Sequence, residues 1–527
     1  MAGSSFGIIP SSSALIFGRN NVRHNAAKSA KLYILISVCG VLPATAKWLA
    51  AIIRLHPRRT AFTWGITTFT SQLLPARQEL MSLAMNILTS HTRRSFLKRL
   101  GLIGATAPWV TARIGRAAAN ETIRHASFGA SGMAAADIES ITRHPAVKLV
   151  AVADVDMDRA AAVRQKFPDV RIYQDWRVLL EKEKDLDTVN VSTPDHMHAP
   201  IAMSAIQLGK HVHCQKPLTH DIYETRQLTL AARDKKVVTQ MGIQIHSASE
   251  YRLAVRLIQD LAIGKVKEVH TWSNKKWGDP SPRPNRVDPV PPGLNWDFWL
   301  GVAEERPFIG DGYYHPGNWR KRLDFGTGTF GDMGCHIYDP VFCALALSAP
   351  LSVRSEGPAP NQWNWAINAR IHYVFPGTKY TDGNTVRVTW YDGDERPPKD
   401  VQALLGEEPM PDQGSIFIGT KGVMLLPHIG PPRLLPEAQF ESYPTPRVQG
   451  DNHWIQWVNA CRGEGKASAN FDYSGPLTET VLLGGVATHF PQTTLEWDSG
   501  ALKFKNNNDA NRYVRRTYRK GWEVKGL

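Results

Sequence analysis

Asp332 and His336 stand four residues apart in "GDMGCHIYDP" (331–340), directly after the glycine-rich "DFGTG" (324–328). On a helix, positions i and i+4 share a face, and a carboxylate beside an imidazole can hold and move a proton. The plainer alternative is an N-capping aspartate followed by a packed histidine. Lys216, in "CQKPLTH" (214–220), is a third candidate. A lysine at a strand end is ordinarily solvated, but one held against a substrate can hydrogen-bond a hydroxyl and ease loss of its proton. Tyr314, His315, Trp319 and Arg320 cluster in "GDGYYHPGNWR" (310–320). Their rings and positive charges suit a hydroxyl-rich ligand, because aromatic faces stack on sugar C–H groups.

Elements that would position these groups are legible from Ile123 onward. "IRHASFG", "VKLVAVAD", "DTVNVSTP", "HVHCQKP" and "KVVTQMG" read as short strands, and helical stretches separate them. Strands alternating with helices imply a doubly wound parallel sheet. The first strand-to-helix turn, "GASGMA" (129–134), keeps Gly129 of a G-x-G-x-x-G pattern but has Ser131 at the second position and Ala134 at the third. Gly129, Ser131, Gly132 and Met133 are therefore candidates for holding a dinucleotide. Asp154 closes the second strand, where a carboxylate accepts hydrogen bonds from an adenosine ribose and repels a 2′-phosphate, favouring NAD over NADP. Ser192, Thr193, Pro194 and His198, in "STPDHMHAP" (192–200), lie at a strand's carboxyl end, where ligands bind in such sheets.

The net charge of +14 suggests nucleic acid until it is located. Residues 1–119 hold fifteen of the 62 basic side chains and one of the 48 acids, so the remainder balances at 47 of each. That balance argues against nucleic acid as a partner. Five cysteines without C-x-x-C spacing argue against a disulfide framework. Adjacent Cys/His pairs rarely point at one ion, so no metal is expected. "TRRSFLKRLGLIGATAPWVTARIGRAAAN" (92–120) carries the twin arginine Arg93–Arg94, a moderately apolar run and small residues near Ala119. It resembles a twin-arginine export signal spanning 81–119, which implies a periplasmic or otherwise exported protein. The expected start is Met81 or Met85, with residues 1–80 assigned no function. "LYILISVCGVLPATA" (32–46) is too short and interrupted for a membrane span, so none is expected in the mature form.

"GASGMA", "AVADVD", "STPDHMHAP", "CQKP" and "GDMGCHIYDP", in this order and spacing, resemble the Gfo/Idh/MocA oxidoreductases over roughly residues 121–500. The resemblance implies an NAD-binding Rossmann domain (120–244) and a C-terminal α/β domain (245–500) built on a large, open, mostly antiparallel sheet. Residues 501–527 remain as a C-terminal tail. "NWDFWLG" (295–301) is expected to pack the second domain, and the proline-rich 278–293 to form an extended surface loop. By resemblance, His336 is the general acid/base, Asp332 orients its imidazole or binds substrate, and Lys216 is the motif lysine. The family's E-K-P has Gln215 for its glutamate here, leaving Lys216 without that acid. The implied activity is hydride transfer between NAD and a sugar, polyol or derivative, in a homo-oligomer. The export signal adds the expectation that NAD is tightly bound, since no free nucleotide pool is maintained outside the cytoplasm. An NAD-dependent glycosidase acting by transient oxidation and elimination is an alternative, and a non-catalytic sugar-binding protein a second.

Overall fold

The computed structural model describes residues 122–527 and, apart from these, an antiparallel pair of two-residue strands, Leu35–Ile36 with Ala51–Ile52. The twin-arginine stretch and the cleavage region near Ala119 lie outside the described residues.

The first half alternates without interruption: β1 (Ile123–Phe128), α1 (Met133–Thr142), β2 (Val147–Ala153), α2 (Met157–Lys166), β3 (Arg171–Tyr173), α3 (Trp176–Lys182), β4 (Thr188–Val191), α4 (His198–Gln207), β5 (His211–Cys214), α5 (Ile222–Lys235) and β6 (Thr239–Met241). Its six strands lie in the order β3-β2-β1-β4-β5-β6, every pair parallel. The central strands are buried on both faces, with Ala126, Phe128, Val189 and Val191 making one face apolar and His125, Ser127, Thr188 and Asn190 hydrogen-bonded on the other, as a sheet covered on both sides requires. Strand order reverses between β1 and β4, and the crevice above that point is where such sheets bind ligands. Side chains cap the flanking helices: Asp156 accepts from Arg159 N to open α2, and Asp221 with Glu224 forms a capping box on α5.

The second half begins with α6 (Ser249–Gln259) and builds a nine-stranded sheet. Its strands are β7 (Val266–Ser273), β8 (Ser352–Glu356), β9 (Arg370–Pro376), β10 (Thr385–Asp392), β11 (Gln413–Gly419), β12 (Val423–Pro427), β13 (Arg433–Leu435), β14 (Thr494–Asp498) and β15 (Lys503–Phe504). They run β13-β12-β11-β7-β10-β9-β8-β14-β15, antiparallel throughout except for β7 beside β10. Along β9 buried and partly exposed residues alternate, the mark of a sheet covered on one face.

The helices that cover this sheet include α7 (Gly328–Ile337) and α10 (Phe471–Thr488), while α8 (Asp339–Ala344) packs on α6 and α9 (His453–Cys461) packs on α1 of the first half. Helices α7 and α10 approach closely through glycines: a Cβ on Gly334 of α7 would stand 3.3 Å from Val481, and one on Gly484 of α10 would stand 2.5 Å from the Phe330 ring. Residues 501–527, set apart as a tail by the sequence reading, pack against both halves, with the Val514 carbonyl oxygen, Arg516 N and Tyr518 Oη bonded to Tyr223 N, Asp221 and Glu224 of the first. Strand β15 extends the sheet, and Ala510, Val514 and Trp522 are buried in the main core. No helix of the described residues is long and apolar enough to cross a membrane.

Candidate active site

A cavity of about 350 Å³ opens over the carboxyl ends of β1, β2, β4 and β5. The first domain contributes Gly129, Ser131, Gly132, Met133, Asp154, Ser192, Thr193, Pro194, His198 and Lys216 to its wall, and the second contributes His315, Trp319, Arg320 and His336. Tyr314 is not on that wall. It is 2% exposed and packs among Trp296, Trp299 and Phe325. Its neighbour His315 turns the other way and meets Asp156 at 2.9 Å, so adjacent residues of one loop serve core and cavity.

The turn between β1 and α1 fits a dinucleotide. Gly129 has φ +103°, and a Cβ there would lie 2.6 Å from the Ser192 carbonyl oxygen, so only glycine fits. At Gly132 (φ +59°) a Cβ would meet nothing within 4 Å, and no side chain caps the α1 N-terminus that follows. Of its first N–H groups, Ala134 N donates to the Ser131 carbonyl oxygen at 3.2 Å, and the others have no side-chain partner among the described residues, which leaves donors for a phosphate group. Ser131, in place of the second glycine, accepts a hydrogen bond from Arg159 Nε at 2.9 Å. Arg159 lines the cavity and escaped the sequence reading because it sits in the first turn of α2, with no pattern to mark it. Asp154 accepts from the Ala130 and Asp156 backbone N–H groups at 2.9 and 3.0 Å. It fixes the turn while still facing the cavity, and burial raises its pKa.

Lys216 is not left without an acid. Its Nζ donates to Asp332 Oδ1 at 2.6 Å and to the Asp332 carbonyl oxygen at 2.9 Å. Arg320 Nε donates to the same Oδ1 at 3.1 Å. Although burial opposes it, the attraction of Lys216 and Arg320 prevails and holds the Asp332 carboxyl well below the usual range. This corrects the expected role of Asp332. It makes no hydrogen bond to His336 and does not reach the cavity wall. It sits behind Lys216 and Arg320 and positions both. Gln215 is occupied separately, donating to the buried Asp137 carboxylate at 2.8 Å, which also accepts from Ser192 Oγ and Trp454 Nε1.

His336 is buried at the far end of the cavity, with Nδ1 unpartnered in the described structure. Burial first, then Lys216 and His428, holds its pKa well below the ordinary value, so the imidazole is neutral. The His428 ring lies 5.8 Å away. His428 follows β12, nearly a hundred residues along the chain, so no local spacing announced it. His198 contacts the Pro217 and Thr193 carbonyl oxygens at 2.8 and 2.9 Å and braces the two strand-end loops, its pKa pushed down to about 4 by burial. Asp195 was also passed over. It is buried on the cavity wall, accepts from Thr327 Oγ1 at 2.7 Å, and is pushed up to about 7 by burial. Among the described residues no group of three His, Cys, Asp or Glu side chains could hold a metal ion.

Two family models match. One, described as "Oxidoreductase family, NAD-binding Rossmann fold", covers residues 123–243, and one described as "Oxidoreductase family, C-terminal alpha/beta domain" covers 265–524. Similar curated proteins include levoglucosan dehydrogenase of Pseudarthrobacter phenanthrenivorans, 27% identical over 36% of this chain and 40% of its own length. Inositol 2-dehydrogenase of Arthrobacter sp. is 28% identical over 28% of this chain and 45% of its own. The chain thus spans less than half the length of these relatives. Two solved WlbA dehydrogenases, from Chromobacterium violaceum and Bordetella pertussis, superpose with a TM-score of 0.52 over 72% of this chain and 97% and 98% of theirs. At 16% and 14% identity they show the fold alone.

Proposed function

Because the chain belongs to the Gfo/Idh/MocA oxidoreductase family, we propose that it transfers hydride between NAD and a hydroxyl-bearing carbon of a sugar, polyol or derivative. The observation that carries this reading is that Lys216, backed by Asp332, and the neutral His336 share one cavity with the dinucleotide turn.

The bound nicotinamide supplies the hydride acceptor or donor. The chain's own residues supply the rest. Glycines 129 and 132 admit the phosphates, Arg159 and Asp154 flank the turn, and His198 with Asp137 braces the loops that carry Ser192 and Lys216. In the oxidative direction the hydroxyl proton needs an acceptor. The neutral His336 imidazole is that base, and the Lys216 ammonium steadies the oxygen by a hydrogen bond. Trp319 and Arg320 line the cavity where the remainder of the substrate lies.

Arg93, Arg94 and the apolar run after them support export by the twin-arginine route. That route moves folded protein, and no pool of free nicotinamide nucleotide is maintained outside the cytoplasm. The exported enzyme therefore carries its NAD tightly bound and runs a redox-neutral cycle. A panel of sugars and polyols, followed by nicotinamide absorbance and by product analysis, tests the proposal. Hydride transfer without release of an aglycone supports it, whereas aglycone release would favour oxidation followed by elimination.

A further inference from the structure

The catalytic end of the cavity holds more fixed positive than negative charge. Lys216 and Arg320 both line it, and both lean on one carboxylate, Asp332, which lies behind them and off the wall. One carboxylate cannot offset two permanent cations. The other ionisable groups nearby leave the surplus standing. His336 and His428 are held neutral by burial and by Lys216. Asp195, pushed up to about 7 by burial, brings about half a charge at neutral pH. Asp154, Asp156 and His315 face the dinucleotide turn, where Asp154 holds Ala130 N and Asp156 meets His315.

Arg320 is also presented in a manner that suits an anion. Its Nε hydrogen-bonds Asp332, and its guanidinium carbon lies 4.3 Å from the Trp319 ring centre and 5.6 Å from that of Trp277. With Trp277 further off, the Trp319 indole lies against the guanidinium. Its terminal nitrogens make no hydrogen bond among the described residues, and the side chain is 28% exposed. A planar pair of N–H donors held in this way matches the two oxygens of a carboxylate.

Building on the oxidoreductase reading, we propose that the substrate is a sugar acid, whose carboxylate is bound by Arg320 while its reacting hydroxyl lies between Lys216 and His336. The arrangement also answers a difficulty in the chemistry. An imidazole beside Lys216 is a poor proton acceptor, and an anion brought into the same cavity raises its affinity for the proton. Binding of the correct substrate thus improves the base that acts on it.

Paired ligands test the proposal: D-glucuronate with D-glucose, D-galacturonate with D-galactose, and D-gluconate with D-glucitol, together with D-glucose 6-phosphate. Each is titrated calorimetrically into NAD-loaded protein, and NADH formation is followed in parallel. At least one acid should bind about tenfold or more tighter than its neutral partner. Arg320→Met should reduce that preference to about twofold or less, and Arg320→Lys, which keeps the charge but loses the fork, should retain part of it. NAD affinity serves as the control for folding. Equal binding within every pair, tighter binding of the phosphate than of the acids, or an equal loss for both members of a pair in Arg320→Met would overturn the sugar-acid assignment. An acid preference without NADH in a single turnover and without any oxidised, epimerised or eliminated product would uphold the anion site and instead sink the oxidoreductase reading.

Discussion

Lys216 of the Rossmann half and Asp332 of the second domain meet with Nζ 2.6 Å from Oδ1, both side chains nearly buried at 12% and 13% exposure. The contact joins residues 116 apart in sequence and holds the ammonium against the cavity wall. A buried pair of this kind is costly to break on one side, because the partner's charge is left without compensation. Lys216→Ala should lower kcat by about two to four orders of magnitude while NAD remains bound. Asp332→Asn keeps the shape and loses the charge. Since Asp332 acts through Lys216 and Arg320, it should lower kcat by about one to two orders with a smaller change in KM, and Asp332→Glu should restore part of the rate. Steady-state kinetics beside NAD titration checks the split. Unchanged kcat in Asp332→Asn would reduce the pair to packing.

The β/α alternation and the glycine turn were readable because apolar period and turn chemistry are local. The partnership of Asp332 was not. The i, i+4 spacing correctly put Asp332 and His336 on one helix, yet the helix delivers them to different neighbours, the carboxylate to Lys216 and Arg320 and the imidazole to the cavity. Only the crossing of two domains decides that. Tyr314 failed as a candidate for a related reason: composition marked the loop as aromatic, but not which ring turns inward. Arg159, His428 and Asp195 were missed because each acts by position in the fold, without a motif of its own.

Cofactor affinity should respond to the turn. Asp154→Ala removes the acceptor of the Ala130 and Asp156 N–H groups and the carboxylate expected to hold the ribose. NAD binding should weaken by about 1–3 kcal/mol. Gly129→Ala should be worse, since its Cβ meets the Ser192 carbonyl oxygen at 2.6 Å and its φ of +103° disfavours alanine. A loss of about 2 kcal/mol or more in stability should accompany the loss of binding. Fluorescence titration and urea unfolding measure the two effects, and normal NAD affinity in both variants would contradict the assignment of the turn.

Asp195 gives a pH-dependent signature. Its folded pKa, about 7, lies above the ordinary carboxyl value of 3.8. The native state therefore binds the proton more tightly than the unfolded chain does. This contribution to stability is present in acid and is lost as pH rises through about 7. Asp195→Asn removes the ionisation and keeps an acceptor for Thr327 Oγ1. Relative to wild type, the variant should gain stability by a few kcal/mol between about pH 4 and pH 8. Urea midpoints across that range test it, and a constant difference would show that Asp195 titrates normally.

For localisation, Arg93→Lys combined with Arg94→Lys should retain the chain in the cytoplasm, and exported protein should begin near Asn120. Exported protein purified without added nucleotide should release close to one NAD per chain on denaturation. Sub-micromolar retention corresponds to about 8 kcal/mol of binding free energy. Nucleotide-free protein of millimolar affinity would refute carriage of the cofactor across the membrane.

The central claim is that His336, neutral at the end of the cavity and close to Lys216, takes the substrate proton. The most direct measurement is the single-turnover rate of NADH appearance in NAD-loaded His336→Ala with a substrate from the panel. The account predicts a fall of about two to four orders of magnitude, with NAD affinity unchanged. A rate equal to that of the wild type would contradict it.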